Sequence, residues 1–477
     1  MRRTVVAPLL LSLALIVLAG CNSSSAPPTN ARSGTGIFVS DFHFNPLADS
    51  TLAARLVAAL PAQWDAIFSS STSTAGTAYT SYGNDTNFPL LQSALTAMQQ
   101  RAPNPDVVII SGDFLVHEFQ MLFDEETTVA DHSPAAYAAF VNKTEAYLAM
   151  KLSQTFPHAQ IIPALGNVDS ACGSAVPSTT LDFVYAGSGF LNAFSAAWNP
   201  AVNRFGGAPD FQATFATGGY YATAFPIDPQ ARLIVLDTQP WSGAYDDACG
   251  PGGTNLGTTE LAWLRVQFAQ ARSFGQRVWL LGHIPPGIST PGTTGPSSAI
   301  PVAPFYSDAY ATQLYALFAQ YRDILTFGIF AHEHNDDFRV ARDSSGKLIF
   351  GMKLVPSITP LHGNNPAFVQ FTYDASAGAV TNASTWYLTN TSTASTKTPG
   401  VWALEYDFDG TYGQTAMDSN GVANAVTAIM TQSSAQAAFT RYYPSANAAA
   451  EFSTFSTYGC ALGNLTMTDY NSCASSR

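Results

Sequence analysis

Charge is what this sequence has least of: charged residues make up 11% of the 477, against a hydrophobic share of 47%. A soluble surface must then be built mainly from Ser, Thr, Asn and Gly, a composition that suits an exported protein. Basic residues are the scarcer sign, 20 Lys and Arg against 33 Asp and Glu, for a net charge of -13. That balance excludes a function driven by nonspecific attraction to nucleic-acid polymers or anionic lipid. A small phosphate-ester substrate stays open, because bound cations can supply positive charge locally. After the apolar run near the start, no stretch is long and apolar enough to span a bilayer. No G-x-S-x-G elbow, Walker loop or dinucleotide fingerprint stands in the strand-to-helix context each requires.

What is present at the start is a targeting pattern. Arg2 and Arg3 precede an apolar run from Val5 to Ala19, so residues 1–21 are expected to be a signal peptide rather than part of the fold. Leu18-Ala19-Gly20-Cys21 resembles a bacterial lipobox, which implies cleavage before Cys21 and a lipid on its thiol. The plainer reading is an ordinary cleaved signal with an incidental Cys. The lipobox reading implies an exported protein of the bacterial periplasm or cell envelope that touches the membrane through its lipid anchor alone. Residues 22–36, rich in Ser, Pro and Gly, are expected to be a flexible tether. The other cysteines are Cys172, Cys249, Cys460 and Cys473, an even number without C-x-x-C spacing. In an oxidising compartment they suggest two disulfides. The sequence does not fix the pairing; proximity favours Cys460 with Cys473, leaving Cys172 with Cys249.

From residue 37 to about 374, short β-rich runs alternate with helical patterns, which predicts an α/β domain. Expected strands include Ile37–Phe42, Val107–Ser111, Gln160–Leu165, Leu233–Asp237, Val278–Leu281 and Ile324–Phe330. Leu261, Leu264, Phe268 and Ala271 recur at helical spacing, with Thr258 or Thr259 available as N-cap, and a second helix is expected over Asp308–Tyr321. Residues 69–84 and 285–304 look like long loops of the kind that shape binding sites. Residues 389–398 look like a linker. The expected organisation is a catalytic domain over 37–390 and a small helical, disulfide-closed subdomain over 400–477.

The informative feature is where His, Asp and Asn fall relative to the apolar runs. One run ends in Asp41-Phe42-His43, the next in Gly112-Asp113 with His117 four residues on, and another in Gly166-Asn167. Two more end in Gly282-His283 and in His332-Glu333-His334. Five strands thus deliver metal-competent side chains just past their carboxyl ends, the edge of an α/β sheet where ligands bind. Each short motif is weak alone, but the chain has only 8 histidines and five of them lie in these positions. Of the others, His132 and His158 are expected in surface loops, while His362 has no assignment. Asp336 and Asp337 are expected in a solvated turn, because adjacent side chains diverge.

In this order the motifs resemble the calcineurin-like metallophosphoesterases, whose blocks are D-x-H, G-D, G-N, a lone G-H and H-x-H. The resemblance covers roughly residues 38 to 374 and implies a metallophosphoesterase-type β-sandwich flanked by helices. It implies one metal on Asp41, His43, Asp113 and His334, and a second on Asp113, Asn167, His283 and His332. Mixed imidazole and carboxylate ligands suit Zn, Mn or Fe better than Ca or Mg, and the resemblance to exported members implies Zn, with Mn or Fe as alternatives. With two cations about 3.5 to 4 Å apart, a bridging hydroxide forms near neutral pH and attacks phosphorus. His117 is expected to protonate the leaving oxygen. The G-D-x-x-x-H spacing is similar to the acid sphingomyelinase-like phosphodiesterase branch, as are Gly218-Gly219-Tyr220-Tyr221, Gly282-His283-Ile284-Pro285-Pro286-Gly287, and Pro356-Ser357-Ile358-Thr359-Pro360 with Gly363-Asn364-Asn365-Pro366. That branch implies a phosphodiester or pyrophosphate bond of a nucleotide or sphingomyelin-like substrate.

Three departures stand out. The block usually written G-N-H-[DE] reads Gly166-Asn167-Val168-Asp169, so a second active-site imidazole is missing. Ala331 replaces a usual Gly, a change that costs little if φ there is below zero. A saposin-like module before Asp41 is not expected, and in this the chain resembles the sphingomyelinase-like subgroup, which implies soluble nucleotide or phosphodiester substrates. The competing readings are a broad phosphomonoesterase or polyphosphate hydrolase and, outside enzymes, a metal-stabilised surface binding lipoprotein. Oligomeric state is not legible.

Overall fold

The apolar runs are unbroken because most of the strands they form are buried on both faces: Val107–Ile110 and Gln160–Pro163 are buried at every position. The computed structural model describes residues 33–172, 187–245, 255–290, 302–447, 452 and 454–477. Cys21 and Cys249 lie outside the described residues, and with them the lipobox and the expected Cys172–Cys249 pairing. The described strands are β1 (Ser33–Val39), β2 (Val107–Ile110), β3 (Gln160–Pro163), β4 (Tyr221–Ala224), β5 (Ala231–Val235), β6 (Arg277–Leu281), β7 (Ile288–Ser289), β8 (Ala303–Pro304), β9 (Leu325–Phe330), β10 (Asp337–Arg342), β11 (Leu348–Leu354), β12 (Ala367–Asp374), β13 (Ala379–Leu388) and β14 (Trp402–Asp407).

Two mixed sheets of six strands carry the fold, in the orders β14-β13-β12-β1-β2-β3 and β10-β11-β9-β6-β5-β4. β1, β2 and β3 run parallel in the first sheet, and β5, β6, β9 and β11 run parallel in the second. Aromatic rings join the sheets face to face: Phe38 of β1 lies 6.4 Å from Phe327 of β9, and Trp279 of β6 lies 5.5 Å from Tyr373 of β12. Helices cover the outer faces, among them Phe88–Arg101, Pro134–Thr155 and Ser188–Val202 on the first sheet and Leu256–Ser273 and Asp308–Gln320 on the second. The architecture is therefore the helix-flanked α/β sandwich expected.

Local differences have local causes. The helix expected to be capped by Thr258 or Thr259 begins earlier, because the Asn255 side chain accepts the Thr258 N–H. β1 begins at Ser33, within the stretch expected to be tether, and pairs with Asp374 of β12. Residues 389–398 form the turn between the paired strands β13 and β14 rather than a linker, and the turn is fastened by Thr396 N–H to Thr77 O and Tyr79 N–H to Ala394 O. Beyond β14, the helix Ser419–Thr431 packs its Val422, Ala425, Val426 and Ile429 into the main core. Cys460 and Cys473 are joined by a disulfide that ties the last two helices together. Among the described residues no helix is long and apolar enough to cross a membrane.

Glu145, on the helix Pro134–Thr155, is 1% exposed and neither of its carboxylate oxygens has a hydrogen-bond partner. Burial, with the neighbouring Asp169 charge adding to it, holds its carboxyl well above the usual range. A carboxyl whose folded pKa is raised takes up a proton on folding, so its contribution falls as pH rises through and above the unfolded value of about 4.5. In metal-free protein, melting temperature is expected to drop less between about pH 5 and about pH 8 in Glu145→Gln than in the wild type. Equal drops would show that Glu145 is ionised in the fold.

Candidate metal centre

Each sheet presents the carboxyl ends of its parallel strands to one shared edge. β1, β2 and β3 run into Asp41 and His43, Asp113, and Asn167, while β6 and β9 run into His283 and into His332 and His334. All seven side chains meet there. Asp41, His43, Asp113, Asn167, His283 and His334 are buried and His332 is half-buried.

Two groups of ligand atoms share Asp113: Asp41, His43, Asp113 and His334 on one side, and Asp113, His283 and His332 on the other. Asp113 Oδ2 lies 3.3 Å from His43 Nε2 and 3.0 Å from His283 Nε2, facing both groups. Asn167 joins the second group, its Oδ1 lying 2.9 Å from His283 Nε2 and 2.8 Å from His332 Nδ1. In the first group His43 Nε2 is 3.2 Å from His334 Nε2, and Asp41 Oδ1 is 3.5 Å from His334 Nε2 and 3.8 Å from His43 Nε2. A tetrahedral ion with bonds of about 2.0 to 2.1 Å needs ligand atoms roughly 3.3 Å apart. The outer atoms of the pair are aimed away from the cluster and held there: His43 Nδ1 is 3.0 Å from Leu115 O, and His283 Nδ1 is 2.7 Å from Ser111 O. A ring nitrogen that donates to a carbonyl leaves the other as a lone pair pointing inward.

Three features fit a bound cation. Both oxygens of Asp41 are buried without a hydrogen-bond partner, an arrangement that costs several kcal/mol in order of magnitude unless a positive charge is present. Burial, reinforced by Asp113, pushes the Asp41 carboxyl up to about 7. Burial would also raise Asp113, but His283 and His43 outweigh it and hold that carboxyl well below the usual range. Burial likewise keeps His332 and His334 well below the ordinary histidine value, so both offer neutral lone pairs. The backbone agrees: of eight non-glycine residues with positive φ among the described residues, five are Asp41, His43, Asp113, His332 and His334. Strain of this kind persists only where the surrounding structure fixes it, and it concentrates at functional sites. Ala331 is not among those residues, so its methyl is admitted.

Residues without an expected role hold this arrangement. Asp169 accepts the backbone N–H groups of Phe114 and Leu115 on Oδ1 at 2.8 and 3.1 Å, and of Asp113 and Gly166 on Oδ2 at 3.0 and 2.8 Å. The loops it joins touch closely: a Cβ on Gly166 would stand 1.9 Å from Asp113 Oδ1. Its signal in the sequence was its place two residues after Asn167. Glu333, between the two histidines, pairs with the buried Arg339 at 3.1 Å, and Arg339 also donates to Asp337 at 3.1 Å. Asp337 accepts from Tyr458 of the C-terminal helices at 2.7 Å. The solvated turn expected at Asp336 and Asp337 is thus corrected: both are buried, Asp336 being bound by Lys353, Tyr406 and Thr385. Their side chains do diverge, but into two buried polar networks.

His117 is half-buried and stacks on His43 with ring centroids 3.9 Å apart. Asp85, from the expected loop 69–84 and its border, accepts the His117 backbone N–H at 3.0 Å and faces its Nδ1 at 3.0 Å. Nothing in the sequence marked Asp85. His362 comes within 4.4 Å of His334, ring to ring, whereas His132 and His158 are exposed, as expected.

No family model matches the chain. Its sequence is similar to sphingomyelinase phosphodiesterase D of Dictyostelium discoideum, 27% identical over 356 residues that cover 70% of this chain and 67% of that protein. The human cyclic GMP-AMP phosphodiesterase SMPDL3A is 26% identical over 271 residues, 55% of this chain and 54% of its own. Among solved structures, a dimetal phosphatase from Danio rerio aligns at 12% identity with a TM-score of 0.39, covering 74% of this chain and 95% of that one. The curated homologues are acid sphingomyelinase-like phosphodiesterases, the branch to which the five motifs and the G-D-x-x-x-H spacing point. The chain spans between about half and about two thirds of the length of those relatives.

Asp169→Asn replaces one of the two N–H-accepting oxygens with a donor. It is expected to lower metal affinity by about 10- to 100-fold, read by competition with a chelator, while Asp131→Asn, on an exposed loop, leaves it unchanged. Unchanged affinity in Asp169→Asn would remove the carboxylate from its supporting role.

Proposed function

We propose that this chain is a dinuclear metal-dependent phosphodiesterase. The observation that carries the reading is the buried Asp41 carboxylate with no hydrogen-bond partner, set beside an Asp113 oxygen that faces imidazoles from both groups. Asp41, His43, Asp113 and His334 would hold one ion and Asp113, Asn167, His283 and His332 the other. The donor set suits Zn, Mn or Fe, and similarity to exported relatives puts Zn first. A divalent pair held there supplies Lewis acidity and an activated water near neutral pH.

The chain's own groups do the rest. Asp85 accepts from His117 Nδ1 and fixes the ring, and stacking on His43 sets its face beside the cluster. His117 Nε2 then passes a proton to the leaving oxygen. Val168 contributes no proton: its side chain is buried in the hydrophobic core and its N–H donates to Asp113 Oδ1 at 3.0 Å. Phosphodiester or pyrophosphate bonds of a nucleotide or a sphingomyelin-like molecule rank first as substrates, by similarity to relatives named for sphingomyelin and for cyclic GMP-AMP. The pattern of Arg2, Arg3, an apolar run and Leu18-Ala19-Gly20-Cys21 supports the reading that the mature protein sits in the bacterial cell envelope, lipid-anchored at Cys21.

The test is hydrolysis of bis-p-nitrophenyl phosphate and of the monoester by protein lacking residues 1–21, chelated and then supplied with Zn or Mn. Activity should return with metal and favour the diester. His117→Ala should lower kcat by about 10²- to 10⁴-fold with metal content unchanged. Fully loaded protein that is inert on both esters would overturn the reading in favour of a metal-stabilised binding lipoprotein.

A further inference from the structure

The segment between β11 and β12 lies across the metal cluster and is laced to it by backbone. Ser357 N–H donates to His334 O at 3.1 Å, Ile358 N–H to Ser40 O at 3.2 Å, and Thr359 N–H to Asp41 O at 3.1 Å. The segment therefore bonds to residues from both sheets, including two of the candidate ligands. Asn364 closes it on itself, its Nδ2 donating to Ser357 Oγ at 2.8 Å and Thr359 O at 3.0 Å. Gly363, at φ +83°, turns the chain just after His362, and its carbonyl accepts from Asn447. A side chain carried on this strap is held by backbone bonds on both sides of it.

His362 is that side chain. Four imidazoles cluster here, with centroid separations of 3.9 Å from His117 to His43, 4.9 Å from His43 to His334, 6.0 Å from His117 to His334 and 4.4 Å from His334 to His362. His43 and His334 belong to the candidate ligand set. His117 also lies within ligand reach of His43 and His334 and is oriented by Asp85, while His362 falls in no such group and its Nδ1 is buried with no hydrogen-bond partner. A buried ring nitrogen without a partner is uncommon in folded proteins and points to a group that arrives later.

We propose that His362 is a substrate-contact residue, hydrogen-bonding a phosphoryl or ester oxygen beside His334 and supplying the second imidazole contact absent at Val168. The inference rests on the phosphodiesterase reading. It gives the diester two imidazoles, one for the leaving oxygen and one that positions the phosphoryl group.

The experiment uses metal-loaded protein and compares wild type, His362→Ala and His362→Gln, which keeps a side-chain donor. Three quantities are read: KM and kcat on bis-p-nitrophenyl phosphate, affinity for inorganic phosphate by calorimetry, and bound metal per chain. His362→Ala should weaken phosphate binding and raise KM by on the order of five- to tenfold at full metal content, with partial recovery in His362→Gln. Unchanged phosphate affinity and KM would overturn the inference while leaving the phosphodiesterase reading intact. Loss of metal in His362→Ala would also overturn it, showing instead that the ring only supports His334. Because phosphate binding is read without turnover, an inert wild type would count against the enzyme reading alone.

Discussion

Asp169 accepts four backbone N–H groups from the loops that follow β2 and β3, and the rest of the centre depends on that one buried carboxylate. Parallel strands β2 and β3 bring the loops side by side, but parallel pairing alone does not set where Asp113 and Asn167 point. The carboxylate does, by consuming the N–H groups that a tightly turned backbone would otherwise leave unpaired in a dry interior. The absence of side chains at Gly112 and Gly166 lets the two backbones cross. Asp113 can then sit at positive φ with one oxygen facing His43 and His283 and the other accepting the Val168 N–H.

Such a centre is costly without its ions. It concentrates buried carboxylates of like charge and strained backbone at one edge, and the sandwich resists both through rigid surroundings. On the second sheet, Arg339 neutralises Glu333 and Asp337 beneath the His332-Glu333-His334 turn, and Tyr458 ties that network to the C-terminal helices. The disulfide between Cys460 and Cys473 fastens the helices that carry Tyr458. The tail thus contributes to the site from below, and β14 contributes to the first sheet from its edge.

The sequence showed the strands and the residues at their ends because both signals are local: an apolar run followed at once by His, Asp or Asn. It could not show the partners that act across the fold. Asp85 lies 32 residues before His117 in a stretch rich in Ser, Thr and Gly, where one more acidic residue carries no pattern. Asp336 and Asp337 looked like a polar turn since nothing nearby announces Lys353, Tyr406, Arg339 and Tyr458 as partners. The 389–398 stretch has the composition of a linker, yet paired strands on either side make it a turn. His362 was visible as a residue but not as part of the site, because its approach to His334 is set by the strap's backbone bonds and not by spacing.

In the proposed arrangement Asp113 would serve both ligand groups, His117 and His362 would face the substrate, and buried polar networks hold the candidate ligands in strained conformations. The measurement that tests it most directly is a crystal structure of chelated and zinc-reloaded protein with anomalous scattering at the metal edge. The account predicts two peaks per chain, one enclosed by Asp41, His43, Asp113 and His334 and the other by Asp113, Asn167, His283 and His332. A single peak, or peaks away from Asp113, would contradict it.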